Sequence, residues 1–110
     1  MISARDVWMH RIDLARAVGA MHQPTQAEPE IVRQVIADLD AEWGGPAVDL
    51  TLTGVGGGTW RLGDGAPVAR VTEDAVAFMR LLSGRSDECA LTTDGAPAAA
   101  EVLRRARVVF

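Results

Sequence analysis

The spacing of apolar residues changes twice along the chain, and those changes mark out its elements. Across residues 3–20, Val7, Trp8, Met9, Ile12, Leu14 and Val18 recur at helical intervals, and Gly19 is placed to stop that helix. Thr25-Gln26-Ala27-Glu28 has the form of a capping box, and Pro29 is tolerated in the first turn that follows. Ile31, Val32, Val35, Ile36, Leu39 and Trp43 then repeat the helical interval until Gly44-Gly45-Pro46. At Val48 the period becomes two. Val48, Leu50 and Leu52 alternate with Asp49, Thr51 and Thr53, and further short strands follow at Thr59–Leu62 and Val68–Val71. Gly54–Gly58 and Gly63-Asp64-Gly65 join them, which predicts an antiparallel meander. The helical period returns after Thr72, which reads as the cap of a third helix with Glu73 and Asp74 in its first turn. Gly84 ends that helix. Cys89–Thr92 reads as a short strand, Pro97 opens an Ala-rich helix to Ala106, and Arg107–Phe110 reads as an edge strand.

These elements predict an α+β fold: two leading helices, then a three- to five-stranded, mainly antiparallel sheet with two helices packed on it. Its apolar side would bury Val48, Leu50, Leu52, Trp60, Leu62 and Val71 beneath Phe78, Leu82 and Leu103. The first helix is apolar over most of its circumference, more than one neighbour can cover. A homo-oligomer, or a complex in which residues 3–20 touch another chain, is therefore expected.

Composition narrows the function classes. The 110 residues, 48% hydrophobic and 24% charged, suit one ordinary globular domain. A formal net charge of −4 with no basic stripe argues against nucleic acid or an anionic membrane as partner. All 11 basic residues are Arg, so phosphate loops and Schiff bases that need Lys are excluded. A single cysteine, Cys89, has no partner for an internal disulfide and fits a reducing cytoplasm. No apolar run is long enough to span a bilayer.

The candidate chemistry lies in the first helix. Asp6, His10 and Asp13 fall on one stripe with Ala17. A carboxylate and an imidazole one turn apart can reach a common metal ion, and Asp13 can take the other imidazole N–H and fix its tautomer. That makes two protein ligands where zinc wants at least three. Each feature also has a plainer reading. Asp6 and His10 can be a helix-surface pair, and Asp13 a surface acid. Gly54–Gly58 is read as a hairpin turn because nothing helical follows it. Cys89, beside Asp87 and Glu88, is expected to be inert. Arg104, Arg105 and Arg107 complement a helix C-terminus, Trp8, Trp43 and Trp60 are core or interface anchors, and His22 is solvated.

The run Arg5-Asp6-Val7-Trp8-Met9-His10-Arg11-Ile12-Asp13-Leu14-Ala15-Arg16-Ala17-Val18-Gly19 resembles the signature helix of the mycothiol-dependent maleylpyruvate isomerase family. There, Glu or Asp followed four residues later by His supplies two metal ligands, leading into an Asp-Leu pair and a helix-ending Gly. That helix is the last of an N-terminal four-helix bundle of the DinB type, and a domain resembling sterol carrier protein follows it. Val48–Thr53, Trp60, Val71–Ala75, Leu81–Arg85 and Leu91–Gly95 are similar to the carrier-like pattern. The resemblance implies a bundle-type helix over residues 1–22 and a carrier-like domain over residues 23–110. It also implies a divalent metal, zinc or a relative, held by Asp6 and His10 with Asp13 behind them, and mycothiol as the thiol cofactor. In the family the third ligand is a His from an earlier bundle helix, which has no counterpart here. The chain is thus expected to be a truncated or stand-alone member, inactive unless another copy or a bundle-providing protein completes the metal site. The alternative is a non-enzymatic carrier-like module for binding a small apolar or thiol ligand, or for dimerisation.

Overall fold

Strand β1 (Val48–Thr53) turns Val48, Leu50 and Leu52 inward and Asp49, Thr51 and Thr53 outward, as its period-two sequence requires. β2 (Gly58–Leu62) returns antiparallel along one edge of β1. β3 (Ala69–Asp74) pairs with the other edge in parallel, and β4 (Thr92–Gly95) adds antiparallel to β3. The order is therefore β2-β1-β3-β4. This computed structural model describes residues 4–19, 26–85 and 89–110. Helices α1 (Ala4–Ala17) and α2 (Glu28–Ala41) precede the sheet, α3 (Ala75–Leu82) follows β3 directly, and α4 (Ala98–Arg105) follows β4. The α+β class and its two leading helices are as the sequence predicts.

The meander is not. A meander would seat β2 between β1 and β3, whereas here residues 63–68 carry the chain across the start of β1. Leu62 and Ala69 consequently both sit beside Val48. The crossing is short because an antiparallel β2 ends where β1 begins, so only one strand end has to be bridged. The loop is held locally: Gly63 N–H donates to Asp40 Oδ1 at 2.9 Å and Val68 N–H to the Ala47 carbonyl at 2.8 Å. Gly63 has φ +78°, and an added Cβ would meet the Trp43 ring at 2.9 Å. Only glycine fits that turn.

Three local boundaries also move. The cap of α3 is Asp74, whose carboxylate accepts the Ala77 N–H at 3.0 Å. Thr72 and Glu73 instead stay in the ladder, opposite Thr51 and Leu52, so cross-strand pairing outlasts the local capping preference. α2 takes Ala27 as its N-cap without a side-chain bond, and Thr25 lies outside the described residues. The last strand starts at Thr92 rather than Cys89 because Leu91 sits at φ +47° and turns the chain first. Arg107–Phe110 forms no strand, although Val108 N–H donates to the Leu82 carbonyl at 3.0 Å.

All the described helices cover one face of the sheet. Val48, Leu50, Leu62 and Val71 are fully buried beneath Phe78, Met79, Leu82 and Leu103. Trp60 packs at the edge of this core and stays half-exposed. Ile31, Val32, Val35, Ile36 and Leu39 bring α2 into the same core, and Trp8, Met9 and Ile12 bring in α1. Burial on this scale is the main stabilising term, at roughly 1.5–3 kcal/mol for each large aliphatic side chain.

Candidate functional site

α1 has two unlike sides. Its inner side buries Trp8, Met9 and Ile12 against the domain. Three ion pairs flank that contact. Arg5 Nη1 lies 2.6 Å from Asp38 Oδ2 on α2. Asp13 accepts from Arg80 Nη1 at 2.8 Å and from Arg85 Nε at 2.7 Å. Burial is the largest influence on Asp13 and alone would raise its pKa. The two arginines together outweigh it, so the carboxyl is held below the usual range.

The outer side carries the candidate ligands. His10 Nε2 stands 3.3 Å from Asp6 Oδ1, with the imidazole 65% exposed. The pairing follows from the four-residue spacing, which puts the two side chains one turn apart on one face. Beside them, Val7, Leu14 and Val18 are exposed although apolar. Helical geometry sets these three on one stripe, roughly 120° around the axis from Trp8 and Ile12. The outer side is thus a pair of potential donors bordered by an apolar strip.

Of the three residues singled out in the sequence, the structure brings Asp6 and His10 together. Asp13, expected to take the other imidazole N–H, instead accepts from Arg80 on Oδ1 and from Arg85 on Oδ2. Those arginines stand 67 and 72 residues away in the chain, so no local pattern could have paired them with Asp13. His22 lies outside the described residues. Among the described residues, no three His, Cys, Asp or Glu side chains gather where one metal ion could reach them all.

Cys89 belongs to a separate knot. Its thiol donates to the Ala77 carbonyl at 3.3 Å, and Arg104 donates to the Cys89 carbonyl at 2.8 Å. Burial, then the charge and hydrogen bonding of Glu73, push the thiol pKa up to about 11, so it is no nucleophile at neutral pH. Glu73 spans the turn before β4, accepting the Asp74 N–H at 2.8 Å and the Leu91 N–H at 3.0 Å. These bonds fix Leu91 in its left-handed conformation, whose cost falls on a structural turn. Arg107 donates to the carbonyls of Arg104 and Ala106 at the end of α4, using the cation there to satisfy open acceptors. Gly54 to Gly57 close the β1–β2 hairpin, with Gly57 N–H donating to the Gly54 carbonyl at 3.0 Å.

Among the described residues, no helix is long and apolar enough to cross a membrane. Compared with protein-family models, with curated proteins and with solved structures, the chain matches none.

Proposed function

We propose that this chain contributes half of a metal site, with Asp6 and His10 as two ligands of a divalent ion, and that it acts as the C-terminal part of a mycothiol-dependent isomerase or thiol transferase. The observation that carries this reading is the outward-facing pair itself. Zinc bonds of roughly 2.0–2.1 Å to nitrogen and oxygen put neighbouring ligands of a tetrahedral site about 3.4 Å apart. The 3.3 Å between His10 Nε2 and Asp6 Oδ1 fits that spacing. The exposed strip of Val7, Leu14 and Val18 beside it suits helices that would bring the missing ligands. A metal bound there would hold a thiol as thiolate, the form that attacks an electrophilic substrate. Asp6 and His10 orient that centre, while Asp13 with Arg80 and Arg85 fixes the helix that bears them.

Two ligands alone make a poor site. Titration calorimetry with zinc should therefore show weak binding by the monomer, lost in His10→Ala, and no isomerase activity from the chain alone. Tight binding at one zinc per two chains, also lost in His10→Ala, would place the site between copies, with two Asp and two His around it. Binding that is unchanged in His10→Ala overturns the reading. The same exposed strip favours a second reading, a non-enzymatic carrier-like or dimerisation module. Failure to bind zinc in any assembly selects that one.

A further inference from the structure

The face of the sheet away from the helices carries an ordered polar pattern. Strand register places Arg61, Asp49, Arg70 and Asp94 side by side in one row across β2, β1, β3 and β4. The signs alternate: plus, minus, plus, minus. The next row is Thr59, Thr51, Thr72 and Thr92, one threonine from each strand. Every one of these side chains is half-buried or exposed, and the described helices lie on the opposite face. Within the first row Arg61 binds Asp49 at 2.8 and 3.3 Å. Asp49, Arg70 and Asp94, with residues 67–69, line a shallow depression of about 310 Å³.

Such a row is complementary to itself in one arrangement. Two sheets packed face to face about a two-fold axis parallel to the strands, running between β1 and β3, reverse the strand order but keep each row at its own height. Arg61 then faces Asp94 of the other copy, Asp49 faces Arg70, and the threonine rows face each other. A two-fold axis lying along the row itself would set like charges together, and one crossing the strands elsewhere would lose the row-to-row match. We propose that this open sheet face is an interface for a second copy of the chain, docked about the strand-parallel axis. Charge complementarity selects that occupant: few surfaces present the reversed row at the same strand spacing, and this one does. The depression by Asp49 gives the facing Arg70 side chain a place to enter. Twist of the sheets holds the two central pairs closest and lets the outer pairs diverge.

Four strands at about 4.8 Å spacing and five residues of about 3.3 Å each give a footprint of roughly 300 Å². Standard interfaces bury about 800 Å² per partner, so this association is weak and concentration-dependent. It is also sensitive to salt, since its charges lie within reach of counterions. The proposal is independent of the metal reading, because none of its residues lies on α1.

Sedimentation velocity on the full chain tests it. The wild type should shift reversibly from monomer to dimer as its concentration rises, less so at high salt. Arg70→Asp and Asp49→Arg should each weaken self-association at least tenfold, because each sets two like-charge pairs at the centre. Their equimolar mixture should associate again, since every position in that heterodimer is complementary. Arg70→Gln should fall between the wild type and Arg70→Asp. Circular dichroism of each variant checks that the fold is retained. A wild type that stays monomeric at every concentration, single variants that associate as the wild type does, or a mixture that fails to recover would each overturn the proposal.

Discussion

The sheet with α3 and the helix α1 are built on different terms. Around β1 and β3, the core side chains Val48, Leu50, Val71, Phe78 and Leu82 are fully enclosed, and the ladder runs without a break from Val48 to Thr53. α1 is fastened by three side chains, Trp8, Met9 and Ile12, and by ion pairs from Arg5 and Asp13, with Val7, Leu14 and Val18 left in water. The first region holds the fold. The second holds the candidate chemistry on an attached element, whose outer face can change without disturbing the core. Regions of this second kind open locally at lower free energy than the global transition.

Truncation in the core should therefore have the largest effect. Phe78→Ala removes a fully buried ring between the sheet and the helices, and should cost about 3–5 kcal/mol in urea-induced unfolding. Typical domains have only about 5–15 kcal/mol in total, so this variant sits near the edge of folding. A loss below about 1 kcal/mol would mean that the two regions are more alike than the burial suggests.

Met9→Ala should do less, and in a different way. Met9 is as buried as Phe78, but it sits on a helix that can lift away. We expect about 2–3 kcal/mol, read chiefly as faster amide exchange in residues 4–17, with the amides of Val48–Thr53 keeping their protection. Equal acceleration in both segments would make α1 an integral part of the fold.

The same contrast explains what could be read from the sequence. Period two in Val48–Thr53 and the helical intervals in residues 3–20 and 31–43 are local signals, and each became an element of that type. Which strands pair is a long-range property. The parallel contact of β1 with β3 cannot be seen in alternation alone, because alternation looks alike in either direction. The same limit displaced the cap from Thr72 to Asp74, where register with Thr51 and Leu52 overrode a good local candidate. In the candidate site, Asp6 and His10 are four residues apart and were legible for that reason. The partners of Asp13, and the charged row across four strands, exist only once distant segments are in register.

The smallest of these effects concerns Asp13, the charged clasp between the two regions. Its carboxyl has a lower pKa in the folded protein than the ordinary value near 4, because Arg85 and Arg80 favour the ionised form over the opposing effect of burial. A depressed folded-state pKa means that the unfolded chain binds the proton more readily. The clasp thus contributes fully above the unfolded value, and its contribution is lost as pH falls through the folded one. The side chain of Asp13 is 36% exposed, so solvent screening keeps the contribution to about 1 kcal/mol. Asp13→Asn should be less stable than the wild type by that amount at pH 7, and the gap should close as pH falls below the ordinary carboxyl value of about 4 and on through the depressed folded one. Other carboxylates with depressed values, Asp49 and Glu30, titrate in both proteins and cancel from the difference. Urea unfolding of the pair at several pH values measures the gap directly. If it persists unchanged at pH 2, the loss comes from packing of the side chain and not from its charge, and α1 is then held by shape alone.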